Sequence, residues 1–454
     1  MFHLFKIRYD GTNPLSLTQI LKRFALNTYF TALGIDLGTS GIRLSVVRKY
    51  LCDQADDIIA NIACAMPMPI KQANQSEQAT EHWQQALNTC LTELEQTGLI
   101  GDIDGIIADA TSSTLLLMDA AGHALCPALM YDDKRATTQS EQLAPLLSAR
   151  SGAQGATSSL AKALWLAEHY NATDAHLAHQ IDWLNYQFIG TFSATDENNL
   201  LKLGYDSIEQ RWPETLKQRL PFKLPTAVAA GSPIGYVGQP MQIHWGFRAD
   251  CQVFAGTTDS IAAFLAAGAD DIGDAVSALG STLAIKLLSD QPLFDAKQGI
   301  YSHKLGDKWL VGGASNVGGA VLLHHFSLDR IKQLVPLIDI NQPTGLDCYP
   351  LIRAGERFPI ADAQLAPIIP DTDNDLIRLQ ALIEGLVKVE VLAYQKLNEL
   401  GAPKVKRIFA VGGGHHNQAW SDLRAQHLPA KLAPAFSQSA AYGVTRLINL
   451  GDKT

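Results

Sequence analysis

One aspartate lies in an apolar strand of this chain, just before a turn of glycine and hydroxyl residues. Asp36 interrupts the run Ala32–Leu37, and Gly38-Thr39-Ser40-Gly41 follows that run. A buried carboxylate is costly unless a cation or a hydrogen-bond donor lies nearby. One interpretation is a hairpin in which Asp36 caps its own turn. The other is a phosphate-binding hairpin, in which small residues let backbone N–H groups approach a phosphate and the aspartate holds a metal.

The same pattern occurs a second time, about 240 residues later in the sequence. Ala275–Leu288 reads as a strand, the turn Gly280-Ser281-Thr282, and an alternating return strand. The pattern predicts two related halves, each of which holds one end of a triphosphate.

A second candidate carboxylate, Asp259, follows the strand-like segment Gln252–Ala255 and the turn Gly256-Thr257-Thr258. It opens an apolar helical segment, Ile261–Ala267. Capping that helix is by itself a sufficient structural reason for an aspartate there.

Hydroxyl residues follow another strand. Ile103–Ile107 runs into Asp109-Ala110-Thr111-Ser112-Ser113-Thr114, and Leu115–Met118 is the next strand. Open α/β sheets bind ligands at the carboxyl ends of their strands, and hydroxyls suit a polyhydroxylated ligand because each both donates and accepts. An ordinary Ser/Thr turn explains the same composition.

Two glycine-rich stretches occur late in the chain. Gly312–Gly319 is predicted to be a turn that leads into a helix, and Arg407–Val411 is a strand that ends in Gly412-Gly413-Gly414. Three glycines allow a flat group such as a nucleoside to lie on the backbone. Asn417 follows on the next helix.

Hydrophobic periodicity supplies the elements that position these residues. Thr191–Tyr205 is polar and is predicted to be a loop. The predicted helices are Thr80–Thr97, Thr157–Tyr170, Asp182–Ile189, Asp375–Leu397 and Ala440–Leu450.

Composition excludes several classes of function. The chain has 454 residues, of which 47% are hydrophobic and 18% charged, enough for two cored domains. A net charge of −9 argues against a nucleic-acid surface. The six scattered cysteines fit a reducing compartment and no zinc site. No apolar run is long enough to span a membrane, and residues 1–30 read as an extension that precedes the first domain.

The ordered set of motifs resembles the FGGY family of carbohydrate kinases from Ala32 onward. Ser159–Leu166 is similar to a signature of that family, with Ala163 where a larger apolar residue is usual. The resemblance implies an α/β fold of two actin-like (ribonuclease H-like) ATPase domains with a deep interdomain cleft. It places a sugar-binding domain at 31–266 and a nucleotide-binding domain at 267–438, with a C-terminal helix, 439–454, that packs back on the first domain.

The same resemblance assigns roles to residues. Asp259 is expected to be the general base that takes the proton of the sugar hydroxyl, and Asp36 to position Mg²⁺ and the substrate. The ketopentose is expected at Asp36, Ser112 and Asp259. The residues expected to bind ATP are Gly38, Thr39 and Ser40 at the γ-phosphate, Gly280, Ser281 and Thr282 at the other phosphates, and Gly413, Gly414 and Asn417 at the adenosine. Phosphoryl transfer depends on positioning and charge neutralisation, which this set of groups supplies.

The sugar is expected to be D-ribulose, with D-xylulose as the alternative. Bacterial xylulokinases typically show Gly-Gln-Met-His-Gly where this chain has Ala110–Thr114, and its serines at the Met and His positions resemble the D-ribulose kinases of cyanobacteria and plants. Tyr131–Arg135, in contrast, resembles a sugar motif of xylulokinases. Few hydrogen bonds decide such a choice.

Two other classes of protein share parts of this pattern. An actin-like chaperone needs an appended peptide-binding domain, for which 454 residues leave no room. A sugar sensor without turnover retains the fold but does not need Asp259 and both phosphate hairpins intact. The sequence therefore predicts a cytoplasmic kinase, a monomer or homodimer, whose partners are ATP, Mg²⁺ and a small sugar, with no nucleic acid or membrane.

Overall fold

The computed structural model of the protein describes residues 29–50, 54–170, 174–220 and 222–449. The extension expected over residues 1–30 lies outside the described residues except for Tyr29 and Phe30, which belong to the first strand.

The described chain alternates strands and helices. The strands are β1 (Tyr29–Leu37), β2 (Gly41–Tyr50), β3 (Asp57–Ala65), β4 (Ile70–Gln72), β5 (Gln75–Gln78), β6 (Gly105–Ala110), β7 (Leu115–Met118), β8 (Ala128–Leu129), β9 (His176–His179), β10 (Thr195–Asp196), β11 (Ala227–Val228), β12 (Pro233–Tyr236), β13 (Gln252–Thr258), β14 (Asp274–Leu279), β15 (Leu283–Ser289), β16 (Tyr301–Leu305), β17 (Lys308–Ala314), β18 (Arg407–Val411) and β19 (Lys431–Ala433).

The α-helices are α1 (Thr80–Gln96), α2 (Thr137–Leu143), α3 (Ser159–His169), α4 (Gln180–Ile189), α5 (Glu197–Leu200), α6 (Glu214–Lys217), α7 (Gln239–Trp245), α8 (Asp259–Ala266), α9 (Ala320–His325), α10 (Leu328–Leu334), α11 (Asp375–Glu399), α12 (Gln418–His427) and α13 (Ala440–Thr445). Short 3₁₀ helices add Ile100–Asp102, Ala144–Leu146, Leu201–Leu203, Ala296–Gln298, Val335–Leu337 and Gly413–His416.

The two six-stranded sheets share the topology of five strands and differ in the edge at which the sixth strand is added. The first has the order β12-β13-β6-β1-β2-β3, and the second β16-β17-β15-β14-β18-β19. In the first sheet β1 forms an antiparallel hairpin with β2 and pairs in parallel with β6. In the second sheet β14 forms the hairpin with β15 and pairs in parallel with β18. The two related halves predicted from the hairpins are therefore confirmed, and we call them domain I and domain II.

Each domain has its own core. In domain I, β1 alternates apolar residues into a core that includes Trp83 of α1, and a five-stranded sheet (β4-β5-β8-β7-β9) extends this core. In domain II, the core lies between the second sheet and the long helix α11, where Leu379, Leu382 and Leu386 are buried.

Helix α13 belongs spatially to domain I although it follows domain II in the chain. It lies against β1, β2, β6 and α8. The approach requires glycine, because a Cβ on Gly34 would lie 1.7 Å from the carbonyl oxygen of Ala441. Val444 and Ile448 pack there in a small cluster with Ala262 of α8.

Three local predictions are wrong. Gly256-Thr257-Thr258 is not a turn but the end of β13, where the backbone of Gly256 lies so close to β6 that a Cβ would be 1.6 Å from the Ala108 carbonyl oxygen. Thr191–Tyr205 is not a loop but contains α5 and the 3₁₀ turn Leu201–Leu203, because its polar residues are buried and bonded, with Asp196 capping α5. The stretch Gly312–Gly319 is not a turn throughout, since Gly312–Ala314 ends β17. A Cβ on Gly312 would lie 1.9 Å from the carbonyl oxygen of Ile285, so this glycine serves close strand pairing.

Candidate active site

Three neighbouring parallel strands of domain I end at the same edge of the sheet. Strand β6 lies between β1 and β13, with Asp36 opposite Asp109 and Thr257 opposite Asp109 on the other side. Asp259 begins α8 directly after β13. The register therefore brings three carboxylates and the turn after β6 to the edge at which open α/β sheets bind ligands.

Asp36 is buried, with 6% of its surface exposed, and it has a cationic partner. The Arg43 Nη1 atom donates to its Oδ2 at 2.9 Å from the opposite position of β2. Burial raises the pKa of Asp36, and the Arg43 charge opposes that rise. Arg43 was not singled out from the sequence, although its place across the hairpin from Asp36 was a usable signal.

Hydrogen bonds from other segments of domain I support the turn after β1. Gly38 N–H donates to the Gly41 carbonyl at 3.0 Å, and the Gln78 amide donates to the Thr39 carbonyl at 3.1 Å. Ser40 is exposed, and its carbonyl accepts from Met66 N–H at 2.9 Å. Asp36 thus pairs with Arg43 instead of capping this turn.

Asp109 is the carboxylate that the sequence reasoning did not assign. It is fully buried, and neither carboxyl oxygen has a hydrogen-bond partner among the described residues. Burial and the neighbouring charges of Asp36 and Asp259 hold its pKa well above the ordinary value. The signal was available, because Asp109 interrupts an apolar strand just as Asp36 does.

Asp259 is the first residue of α8 and is partly exposed. Its Oδ1 accepts the backbone N–H of Ser260 at 2.6 Å, and it does not make the side-chain capping bond expected at this helix end. Burial first, and then the Asp36 charge, raise its pKa to about 6, while Lys202 and Lys286 oppose the rise. A carboxylate with that pKa suits a general base at neutral pH.

The turn that carries Ser112 is strained and firmly held. Ser112 is partly exposed, and Ser113 beside it has a φ of 68°, in the left-handed region that L-residues other than glycine rarely adopt. Thr111 donates its backbone N–H to Gln180 Oε1 at 3.1 Å. The buried Lys162 of α3 donates to the Ser113 carbonyl, and to the Met130 carbonyl at 2.9 Å.

Lys162 lies in the stretch that resembles the family signature, and it is an anchor of this turn. It is fully buried, and burial lowers its pKa to about 7. The sequence reasoning gave it no role, because a lysine in an amphipathic helix pattern is ordinarily exposed.

The second hairpin turn lies in domain II. Ser281 and Thr282 are exposed, and Gly319 N–H donates to the Gly280 carbonyl at 2.8 Å. A Cβ on Gly318 would lie 2.4 Å from the Cα of Thr282, so the following turn needs glycine to support the hairpin.

The late glycines form a short helix and not an open loop. Gly413 and Gly414 belong to the 3₁₀ turn Gly413–His416, and Gly412 before them has a φ of 85°. Gly413 has free space where a Cβ would lie, whereas a Cβ on Gly414 would meet Trp420 at 2.6 Å. Asn417 caps α12 by accepting the Trp420 N–H at 3.1 Å, which is a structural role for this residue.

The two domains face each other across Asp259. Lys286 lies on β15 of domain II, yet its charge acts on Asp259 of domain I. The structure thus brings Asp36 and Asp259 together at one edge, with Ser112 on the turn that follows β6 there. Gly38 lies at the same edge of domain I, whereas Gly280, Gly413, Gly414 and Asn417 lie in domain II.

Magnesium is the metal that this arrangement fits. No group of three or more metal-binding side chains occurs among the described residues. Mg²⁺ is usually held by one or two carboxylates together with substrate phosphates and water, so such a group is not required. The oxygens of Asp36, and those of Asp109 that lack a donor, are the hard ligands that Mg²⁺ takes.

Family models match nearly all of the described chain. The N-terminal domain of the FGGY family of carbohydrate kinases matches residues 31–266, and the C-terminal domain of that family matches residues 275–449. The chain belongs to the FGGY family of carbohydrate kinases. It is therefore an ATP-dependent sugar kinase.

Individual relatives cover almost the full length of this family member. The xylulose kinase of Staphylococcus xylosus is 22% identical over 455 residues, covering 93% of this chain and 91% of the relative. The gluconokinase of Bacillus subtilis (strain 168) is 21% identical over 455 residues, covering 90% of this chain and 85% of the relative. The crystal structure of a ligand-bound xylulose kinase from Lactobacillus acidophilus has a TM-score of 0.79 at 19% identity and covers 92% of this chain and 88% of its own.

These comparisons confirm the two-domain actin-like fold and correct one expectation. The named relatives are xylulose kinases and gluconokinases, so the expected specific likeness to the D-ribulose kinases of cyanobacteria and plants is not supported. In the described part of this FGGY kinase, no helix is both long and apolar enough to cross a membrane.

Proposed function

We propose that this kinase transfers the γ-phosphate of ATP to the terminal hydroxyl of a ketopentose. The observation that carries the proposal is the edge of the domain I sheet, where Asp36, Asp259 and the Ser112 turn converge. Carboxylates and hydroxyls there offer the donors and acceptors that a polyol needs.

D-xylulose is the first candidate, because xylulose kinases are among the relatives that match most of the chain. D-ribulose is the second candidate, because Ser112 and Ser113 stand where bacterial xylulokinases typically have Met and His. The two sugars differ in the configuration of one hydroxyl, so a few hydrogen bonds at this turn decide the preference.

The proposed mechanism uses Asp259 as the general base. It accepts the proton as the terminal hydroxyl oxygen attacks the γ-phosphorus, and the bond from that phosphorus to the oxygen of the departing ADP breaks. Asp259 is ionised at neutral pH, since its pKa is about 6. Arg43 holds Asp36 in place beside it.

ATP is proposed to lie between the domains. The first hairpin, with Gly38, Thr39 and Ser40, would face the γ-phosphate. The second, with Gly280, Ser281 and Thr282, would hold the other phosphates, and Gly413, Gly414 and Asn417 the adenosine. Asp36, with Asp109, would hold Mg²⁺, which when bound neutralises charge on the phosphates. Closure of the cleft expels water and aligns the two substrates.

A coupled ADP-release assay tests this proposal. The purified protein is given ATP and Mg²⁺ with D-xylulose, D-ribulose, aldopentoses, glycerol or D-gluconate. We expect turnover with a ketopentose, and a higher kcat/KM for one of the two ketopentoses identifies the substrate. Turnover only with D-gluconate or glycerol contradicts the proposal, and ATP hydrolysis that no sugar stimulates does so as well.

The role of Asp259 is tested with Asp259→Ala. We expect sugar phosphorylation to fall by at least about a thousandfold, in the range seen when a general base is removed. Nucleotide binding, measured by calorimetry, is expected to persist because Asp259 is not among the residues proposed to bind ATP. Unchanged turnover removes Asp259 from the role of base.

A further inference from the structure

Two lysines, one from each domain, lie on the side of the cleft that faces Asp259. Lys202 is in the 3₁₀ turn Leu201–Leu203 of domain I, and Lys286 is in β15 of domain II. Both charges lower the pKa of Asp259, which places both lysines within electrostatic reach of that carboxylate.

The alternation of β15 explains the position of Lys286. Leu283, Ile285 and Leu287 point into the core of domain II. Residues of the other parity lie on the opposite face, where Leu288 packs in a cluster with Phe264 of α8. Lys286 shares that face and lies one repeat nearer the hairpin turn, toward the end of α8 at which Asp259 begins the helix.

Lys286 has a neutral partner. Its Nζ lies 3.3 Å from His303 Nδ1, and His303 is 3% exposed. Burial and the charges of both lysines hold the pKa of His303 well below its ordinary value, so the imidazole is uncharged and accepts this hydrogen bond. The histidine orients Lys286 without neutralising it.

Lys202 has an aromatic partner from the other domain. Its Nζ lies 5.9 Å from the ring centroid of Tyr301 on β16, and its charge lowers the pKa of the Tyr301 hydroxyl. Among the residues that the structure describes, neither Lys202 nor Lys286 forms an ion pair with a carboxylate, although many exposed lysines do.

The two lysines share one carboxylate, Asp259, and Lys286 has a neutral histidine beside it, so the pair leaves positive charge in the cleft that a further anion would neutralise. The proposed reaction delivers such an anion to this place. The hydroxyl whose proton goes to Asp259 forms the new O–P bond there, and the group that it gains is a phosphoryl dianion.

We propose that Lys202 and Lys286 form an anion site that binds the phosphoryl group once it has reached the sugar. This inference rests on the proposed kinase reaction and adds to it a site for the product phosphate that spans both domains. Because the two lysines come from different domains, a product phosphate bound to both links the domains. Release of the product then requires the domains to move apart.

Calorimetric binding to the intact protein tests the site. The probes are D-xylulose 5-phosphate and D-ribulose 5-phosphate, each compared with its unphosphorylated ketopentose. For Lys286→Met we expect the Kd of the bound phosphosugar to rise by at least about tenfold, or about 1.4 kcal/mol, while the Kd of the parent sugar stays within about twofold. Lys202→Met, in the other domain, is expected to do the same and serves if Lys286→Met does not fold.

Lys308→Met is the matched control. Lys308 is a partly buried lysine at the start of β17, the strand that pairs with β15, and its Nζ donates to the Asp270 carbonyl at 2.7 Å. We expect it to leave all four affinities unchanged. An equal weakening of phosphorylated and parent sugars by the two cleft variants, or no weakening of either, overturns the inference.

The source of the anion is a further outcome of the experiment. If D-gluconate binds the wild-type protein and only its affinity depends on the two lysines, they bind a substrate carboxylate and the inference is wrong. Binding does not require turnover, so a lysine-dependent affinity for a phosphopentulose in a protein that phosphorylates no ketopentose supports the anion site and rejects the proposed function.

Discussion

Replacing Lys162 with methionine should separate sugar affinity from stability. Lys162 is fully buried and joins α3 to the turn that presents Ser112, through hydrogen bonds to the carbonyls of Ser113 and Met130. We expect Lys162→Met to raise the KM for the ketopentose, to leave the KM for ATP nearly unchanged, and to alter the melting temperature little.

Two opposing terms set the effect on stability. Burial lowers the pKa of Lys162 from 10.5 to about 7, which at 1.36 kcal/mol per pH unit disfavours the charged form by about 5 kcal/mol. Methionine removes that cost but leaves two buried carbonyls without a donor, at about 1–3 kcal/mol each. These terms are of similar size, so the net change in the free energy of unfolding near pH 7 is small.

The substitution is expected only to weaken the affinity for the sugar. Ser113 has a φ of 68°, and the left-handed region costs a residue with a side chain about 1–2 kcal/mol. Without the Lys162 anchor the turn relaxes by about this amount and Ser112 shifts. The expected rise in sugar KM is about tenfold.

Steady-state kinetics with each substrate varied in turn, together with thermal melts, make the measurement. Leu166→Ala, which removes a buried side chain from the same helix, is the matched control: it should lower the melting temperature and leave the sugar KM unchanged. The reasoning is refuted if Lys162→Met raises both KM values equally or leaves the sugar KM as it was.

The proton on Lys162 gives an independent check. The unfolded chain keeps this proton up to about pH 10.5, whereas the folded chain releases it above about pH 7, so this group makes the fold more stable as the pH rises through that window. In the methionine variant that contribution should vanish. The wild-type KM for the sugar should rise above about pH 7, where Lys162 loses its proton, and this rise should be absent from Lys162→Met.

Three further outcomes are expected. The wild-type kcat/KM for the sugar should rise with pH through about 6, because Asp259 acts as a base only when ionised and its pKa is about 6; a profile flat from pH 5 to 7 opposes this. Asp109→Asn should keep or raise the melting temperature of the protein without Mg²⁺, since an uncharged side chain of the same shape removes the cost of burying a carboxylate that has no hydrogen-bond partner among the described residues, and a large loss of stability would contradict this. Gly318→Ala should raise the KM for ATP by about tenfold and leave sugar affinity unchanged, because its Cβ would lie 2.4 Å from the Cα of Thr282; Gly101→Ala, where a Cβ meets nothing within 4 Å, is the control.

Local patterns predicted the parts of the site that local forces determine. The two hairpins and the long helix α11 follow from apolar alternation and helical spacing, so the sequence predicts them with nearly correct bounds. The relation between the two halves also follows, because each hairpin repeats the same order of residues.

The sequence was less informative where distant segments determine the structure. Lys162 looks like an exposed helical lysine until Met130 and Ser113 are brought to it, and Lys286 looks like an ordinary strand residue until α8 covers its face. Thr191–Tyr205 was predicted to be a loop because isolated Asn and Asp favour turns. In the folded chain, Asp196 Oδ1 instead accepts the backbone N–H of Asn199 in the first turn of α5.

The position of α13 has a consequence for the order in which the protein is made. The helix packs against β1 and α8 of domain I, yet the ribosome synthesises it only after all of domain II. A nascent chain that ends after α8 would leave the apolar surface around Ala262 open to other chains. Domain I therefore cannot complete its core before the second domain has emerged, and contacts between such distant segments slow folding. Each domain is therefore a separate unit of the folded structure, but domain I is not completed as a separate unit during synthesis.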